Sequence, residues 1–255
     1  MAHARSLVAA LLAAVAGAVA GALGAQLPAG DSLARRSHLD VAALRPGQFE
    51  YQTTLERNNS TTIVGTRTVT VSQAMYAGSP VWLLLETRSG NGVNAVDSLF
   101  ADLASLRPIH WSATQGDARV AAEFRADTAF GGVSSPVGRR SMIINVPSGS
   151  LISGAMLETV LRLDPLHTAW EDSTTTLSVS LGSNAVLPTR IAVIGEDRVR
   201  VPAGTFDCWV VAVHADPARG LYWVTKSDPI VVRSALDVPT LGGAQLVSAL
   251  TRISR

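Results

Sequence analysis

The feature that most constrains the fold is a period-two alternation of apolar and polar residues, repeated in short segments that end at turn residues. Residues 48–56 alternate aromatic or aliphatic side chains with polar ones, and Asn58-Asn59-Ser60 follows as a turn. Such alternation is typical of half-buried β-strands, because successive side chains point to opposite faces of a sheet. The connections suit hairpins, whereas parallel crossovers need a dozen or more residues. The pattern therefore predicts consecutive antiparallel strands.

The same alternation of apolar and polar residues recurs along most of the chain. Further strands are predicted over residues 63–76, 81–87, 109–114, 118–125, 141–146, 168–181, 189–201, 205–214, 220–225, 230–236 and 244–253. Residues 97–106 fit a helix as well as a strand, and the Gly- and Ser-rich residues 131–138 are interpreted as a connection. An apolar stripe at helical spacing predicts one helix over residues 154–163, with Ser153 as its N-cap. A short helix is expected over residues 39–44.

Ten or more strands, one clear helix and no alternation of strands with helices define the fold class. We expect a mainly β protein, in which an antiparallel meander forms a barrel or half-barrel with one packed helix. A sandwich of two sheets is the alternative arrangement of such strands.

The N-terminus has the layout of a secretory signal peptide. Arg5 provides a positive charge, no charged residue follows up to Ala25, and small residues precede the polar Gln26. We expect cleavage after Ala25, so that residues 1–25 are the signal peptide and residues 26–255 form a single exported domain, periplasmic or extracellular. The only cysteine is Cys208, so no lipid anchor at the cleavage site is expected, and no stable membrane anchor should remain after processing.

Charge and residue types exclude several classes of function. Without residues 1–25 the chain has 20 basic and 20 acidic side chains, and this balance argues against a nucleic-acid partner. Neither a nucleophile elbow nor a phosphate-binding loop is present, and Cys208 in an apolar strand is interpreted as a small buried hydrophobe. The histidines of the mature chain are spread without metal-ligand spacing: His38, His110, His167 and His214. We therefore assign no catalytic residue, no metal site and no cofactor.

The C-terminal third contains the most specific local pattern. Residues 201–208 read Val-Pro-Ala-Gly-Thr-Phe-Asp-Cys, residues 221–224 read Leu-Tyr-Trp-Val, and Ser227-Asp228-Pro229 precedes a strand that contains Arg233. The pattern resembles that of a group of uncharacterised bacterial exported β-proteins, over much of residues 45–252. The resemblance implies a long antiparallel meander curled around a helix, similar to the lipoprotein-carrier half-barrels of the bacterial envelope. The resemblance does not imply any particular biochemical activity.

These observations predict a non-catalytic exported protein that binds a lipid or another apolar or amphipathic ligand, or that assists envelope assembly. All five tryptophans lie on predicted strands, and ordinary core packing is the simpler explanation for them. If a cavity exists, Trp223 and Trp209 are the expected lining residues, with Arg233 pairing with an acidic head group. Tyr222 points to the opposite face from Trp223, and Trp223 is preferred. The alternatives are an extracytoplasmic hydrolase with a site assembled from distant residues, and a structural interaction module that uses a sheet edge.

Overall fold

A computed structural model describes residues 39–152, 154–179 and 184–255 of the chain. Within them fifteen strands form one sheet, accompanied by one α-helix, α1, over Ala155–Leu161. The strands are β1 Gly47–Arg57, β2 Ser60–Tyr76, β3 Ser79–Gly90, β4 Val93–Asp102, β5 Pro108–Gln115, β6 Ala118–Arg125, β7 Thr128–Ser135, β8 Gly138–Asn145, β9 Leu151–Ile152, β10 Glu171–Val179, β11 Asn184–Val201, β12 Gly204–Ala215, β13 Ala218–Thr225, β14 Val231–Val238 and β15 Ala244–Ser254. The predicted signal peptide and the predicted cap Ser153 lie outside the described residues.

The sheet consists of two meanders that meet in its middle. The strand order runs from β8 down to β1, then from β15 down to β9, so β1 pairs with β15 and β8 and β9 form the two edges. Every neighbouring pair is antiparallel except β9 with β10. The sheet is therefore not closed, and the predicted fold class is confirmed as an antiparallel half-barrel with one helix.

Two predictions about local structure differ from the observed fold. Residues 131–138, interpreted as a connection, belong largely to β7, because glycine permits a close approach of β6 at this point. A Cβ added to Gly131 would lie 1.9 Å from the carbonyl oxygen of Ala121. The expected helix over residues 39–44 is reduced to a short 3-10 turn, Val41–Ala43.

The parallel pair β9–β10 was not expected from the hairpin spacing. The chain leaves β9 through α1 and returns to β10, and this helical crossover gives the connection the length that a parallel pair needs. β9 has only two residues, which is too short for a period-two pattern to be read from it.

Helix α1 packs against the inner face of the curved sheet. All seven of its residues are buried, and the burial of a side chain such as Leu157 or Leu161 stabilises the fold by about 1.5–3 kcal/mol. After the helix, Arg162 Nε donates to the carbonyl oxygen of Pro229 at 3.0 Å, and its guanidinium lies 4.5 Å from the centre of the Phe49 ring. The residue that follows the helix thus contacts β1 in one half of the sheet and the loop between β13 and β14 in the other. No helix in the described ranges is long and apolar enough to cross a membrane.

Candidate functional site

A cavity of about 260 Å³ lies on the inner side of the half-barrel, between α1 and the hairpins at one end of the strands. Its deep end is formed by α1 and by buried side chains of β2, β3 and β13. Its mouth is formed by exposed residues next to the hairpin turns, among them Ser89, Arg219 and Pro239. The volume is slightly below the ~300–1,000 Å³ that is common for small-molecule sites.

The side walls of the cavity are apolar. Strand alternation directs Val120, Val213, Leu236 and Leu246 towards the inside, and all four line the cavity. They come from both halves of the sheet, so the cavity depends on the pairing of β1 with β15. A short polar strip interrupts the apolar lining at this pairing.

The polar strip consists of hydroxyl groups on adjacent strands. Thr53 of β1 and Ser248 of β15 share a hydrogen bond of 3.2 Å, and Ser234 of β14 lies opposite Ser248 in the sheet register. All three side chains are buried and line the cavity. The strip can therefore offer hydroxyl groups to a polar part of a ligand.

The floor of the cavity is a buried cluster of charges. Arg67 of β2 donates from Nε to Glu86 Oε1 at 2.9 Å and from Nη2 to Glu86 Oε2 at 3.2 Å. Nη2 of Arg67 also lies 2.8 Å from Oε1 of Glu158 on α1. Arg88, one inner-face position along from Glu86 on β3, donates from Nε to Glu86 Oε1. The bidentate pair Arg67–Glu86 joins β2 to β3 and is among the stronger polar contacts in proteins, and the contact of Arg67 with Glu158 ties the helix to the sheet.

Burial and neighbouring charges give Glu86, Glu158 and Asp97, three of the four carboxyl groups that line the cavity, different proton affinities. Burial alone would raise the pKa of Glu86, but the charges of Arg67 and Arg88 lower that pKa to about 2. Burial raises the pKa of Glu158, and the attraction of Arg67 offsets this only in part. Asp97 of β4 lies directly opposite Glu86, and burial together with that negative neighbour raises the pKa of Asp97 to about 7.

Two aromatic side chains complete the polar part of the cavity. Trp111 Nε1 donates to Asp97 Oδ1 at 2.7 Å, which fixes the orientation of that carboxyl group. Tyr222 of β13 also lines the cavity, and burial, followed by the charge of Glu158, raises the pKa of its phenol. The hydroxyl of Tyr222 has no hydrogen-bond partner within the described residues, so it stays a neutral donor available to a ligand or to water.

The residues predicted from the sequence lie elsewhere in the sheet. Trp223 and Arg233 are register partners on the face opposite Tyr222, where the Arg233 guanidinium lies 4.8 Å from the Trp223 ring centre. Trp223 Nε1 donates to Asp197 Oδ2 at 3.0 Å. Trp209 is covered by the Lys226 ammonium, 4.2 Å from the ring centre. Tyr222, rather than Trp223, Trp209 or Arg233, is among the described residues that line the cavity, and a ligand at the other three stays an untested prediction.

Sequence reasoning missed the charged floor. Glu86 stands among the apolar inner-face residues of β3, whereas Glu158 lies outside the apolar stripe of the predicted helix and gives no such signal. A charged residue at a position where the periodicity predicts burial is a signal in itself, because such residues are rarely buried without a partner. The signal does not reveal the partner, since Arg67 and Glu158 are far apart in the chain.

The histidines and the cysteine of the described residues lie outside the cavity lining. His110, His167 and His214 are absent from the cavity lining, and the His110 ring instead contacts Glu123 through Nδ1 at 2.8 Å. Cys208 is buried, and burial followed by the charge of Asp197 raises the pKa of its thiol to about 12. In the part of the chain that the structure describes, no group of three or more His, Cys, Asp or Glu side chains is placed to hold a metal ion.

The fold and its cavity define an antiparallel half-barrel with a helix on its inner side. By sequence the chain belongs to the DUF3108 family, described as a protein of unknown function, whose profile matches residues 50–244. No curated protein matches the chain at a significant level.

Two solved structures show a weak overall likeness to this chain. A protein with a YmcC-like fold from Bacteroides fragilis is 14% identical, covers 83% of this chain and 97% of its own, and gives a TM-score of 0.33. A DUF1329 family protein from Desulfovibrio piger is 10% identical, covers 84% of this chain and 86% of its own, and gives a TM-score of 0.27.

Proposed function

We propose that this protein is exported and binds an apolar or amphipathic ligand, such as a lipid, in the cavity between α1 and the open end of the half-barrel. The observation that carries the proposal is the cavity of about 260 Å³ itself, with apolar walls and a small set of convergent polar groups. This combination is the usual composition of a ligand site, in which apolar walls supply affinity and few polar groups orient the ligand. The export rests on the N-terminal sequence pattern.

The absence of histidine from the described lining favours binding over hydrolysis. A hydrolase with a Ser-His-Asp arrangement needs a base within hydrogen-bond reach of its nucleophile. The two buried serines of the cavity lining, Ser234 and Ser248, lie instead beside Thr53 and beside each other. Asp97 is held by Trp111, so the polar groups support orientation of a ligand more readily than attack on it.

A blocking variant tests the proposal. Ala113 of β5 lines the cavity, and Ala113→Phe should fill the space between the apolar walls. Ala121 of the neighbouring β6 is exposed on the other face, so Ala121→Phe is the matched control. We expect the neutral dye N-phenyl-1-naphthylamine to gain fluorescence on binding wild-type protein and Ala121→Phe. Ala113→Phe should bind it at least about tenfold more weakly, which corresponds to about 1.4 kcal/mol.

Absence of dye binding by the wild-type protein would refute the cavity proposal. So would equal binding by Ala113→Phe with an unchanged fold, as judged by circular dichroism. The control variant separates the effect of a blocked cavity from the general effect of a larger side chain on the sheet.

A second candidate function is an interaction module at the sheet edge. β8 pairs only with β7 among the described strands, and its Ile143 is 74% exposed beside Phe130 of β7, which is 42% exposed. An exposed edge with apolar neighbours can pair with a strand of another chain. This hypothesis predicts self-association through β8, which Ile143→Asp should abolish in light-scattering measurements. A wild-type protein that stays monomeric at all concentrations tested would count against such self-association.

A further inference from the structure

The two arginines of the cavity floor differ in how many of their donors are used. Arg67 is buried, and its Nε and Nη2 bond to Glu86 and Glu158. The Arg88 side chain is 25% exposed and bonds through Nε to Glu86. Its two Nη atoms have no acceptor within the described residues. Because a guanidinium has five N–H donors, four of those of Arg88 remain available.

The surroundings of Arg88 leave these donors open to the cavity. In the sheet register Arg88 lies opposite Arg67 on one side and opposite Ala95 on the other. Ala95 and Gly65 both line the cavity beside it, and their small size leaves space between Arg88 and the mouth. The start of α1 is close as well, since a Cβ added to Gly154 would lie 3.9 Å from Nη2 of Arg88.

Larger side chains are excluded at two of these positions. A Cβ added to Gly65 would lie 2.2 Å from the carbonyl oxygen of Ser89, so the close pairing of β2 with β3 requires glycine there. Gly154 has a φ of +87°, a conformation that glycine adopts without strain. The open space beside Arg88 is therefore built into the backbone.

We propose that Arg88 binds the anionic head group of an amphiphile, a carboxylate or a phosphate, through its Nη atoms, while the tail lies along the apolar walls. This inference rests on the proposed function and specifies its ligand class. Arginine suits the role, because its planar guanidinium binds such anions in a bidentate manner. The apolar residues Val120 and Leu236 lie between the charged floor and the mouth and would contact the tail.

The carboxyl groups near Arg88 do not oppose this assignment. Glu86 is already paired with two arginines, which largely neutralise it. Asp97, whose pKa is raised to about 7 by burial and by Glu86, is protonated in about half of the molecules near neutral pH. An incoming anion thus meets less negative charge than the number of carboxyl groups suggests.

The test compares two probes with the same tail, 11-(dansylamino)undecanoic acid and its uncharged methyl ester. We expect wild-type protein to bind the acid at least about tenfold more tightly than the ester, a preference of about 1.4 kcal/mol. Arg88→Gln should lose this preference while it binds the ester as the wild type does. Arg119→Gln, at an exposed position of β6 outside the described cavity lining, is the matched control and should keep the preference, and Arg219→Gln tests whether the head group lies at the mouth.

Each outcome separates the head-group assignment from the cavity itself. Equal binding of acid and ester by wild-type protein overturns the role of Arg88 but leaves the cavity proposal intact, whereas binding of neither probe refutes the cavity proposal. Loss of the preference in Arg219→Gln, but not in Arg88→Gln, would place the head group at the mouth and also overturn the assignment. Inorganic phosphate alone should not displace the acid, and full displacement would indicate a site for a free anion instead.

A second variant, Arg88→Lys, keeps the test decisive if Arg88→Gln is less stable than the wild type. Glu86 keeps Arg67 as a partner in that variant, so we expect it to fold. If Arg88→Gln nevertheless binds the ester more weakly, Arg88→Lys tests the head-group assignment instead. Lysine keeps the positive charge next to Glu86 but lacks the bidentate donors of arginine. Arg88→Lys should bind the acid several-fold more weakly with unchanged ester affinity. Unchanged acid affinity would overturn the assignment.

Discussion

Replacement of Asp97 by asparagine should change how the stability of this protein depends on pH. In the folded protein burial and Glu86 raise the pKa of Asp97 from 3.8 to about 7. Between these two values the unfolded chain has lost the proton and the folded protein retains it, so folded stability falls as the pH rises. The asparagine side chain of the variant has no proton to lose, yet its oxygen can still accept the hydrogen bond from Trp111.

The size of the effect follows from the shift in pKa. At about 1.36 kcal/mol per pKa unit, the shift corresponds to roughly 4 kcal/mol in total. Linkage places ~2–3 kcal/mol of this loss between about pH 5 and about pH 8. Over this interval the free energy of unfolding of the wild-type protein should therefore fall by that amount relative to Asp97→Asn.

Urea unfolding of both proteins at a series of pH values measures this difference. Subtraction of the two curves removes the contribution of other groups, such as Glu158, that titrate in both proteins. Asp97→Ala is the second variant, because it also removes the charge but leaves the Trp111 N–H without its acceptor. It should show the same pH dependence as Asp97→Asn, at a stability lower by ~1–3 kcal/mol. A difference between wild type and Asp97→Asn that does not change with pH would refute the reasoning.

Four further predictions follow from particular contacts or from the sequence. Glu86→Gln should lower the free energy of unfolding by roughly 3–5 kcal/mol, because the cluster would keep two guanidinium groups, Arg67 and Arg88, with only Glu158 as their counter-charge; a melting temperature close to that of the wild type would contradict this. Gly131→Ala should also lower the melting temperature, since the added Cβ would overlap the Ala121 carbonyl oxygen; wild-type stability would show that β6 and β7 can separate there at no cost. Trp223→Ala should reduce stability but leave dye binding unchanged if the cavity is the site, whereas weaker binding at unchanged stability would favour the sequence-based site. Mass spectrometry of the exported protein should find its N-terminus near Gln26, and a full-length product would contradict cleavage.

The strands were predictable because each one has a local signal. β6 has the bounds that its alternation predicts, residues 118–125, and its hairpin turn follows from Gly116 and Asp117. β7 was missed because Gly131 and Gly132 were interpreted as part of a connection, whereas in the fold they allow neighbouring strands to approach closely. A glycine that is needed for a close approach looks in the sequence like a glycine in a loop.

The candidate site was less accessible to sequence reasoning. The aromatic residues of β12 and β13 were the sequence candidates for a cavity wall, and alternation placed Tyr222 and Trp223 on opposite faces, as the structure does. It does not tell which of the two faces is the inner one. That choice depends on where α1 packs, and the helix packs on the side of Tyr222, next to Arg67 and Glu86.

The sequence by itself determined the class of secondary structure, the presence of one helix and the antiparallel course of the chain, because these depend on periodicity and turns within a few residues. Only the tertiary structure decided that β1 pairs with β15, that β8 and β9 stay apart, and that Arg67 meets Glu158 across the interior. These contacts join residues that are distant in the chain, and their formation depends on the register and curvature of the whole sheet. The cavity and its charged floor are properties of that curvature, which no single segment encodes.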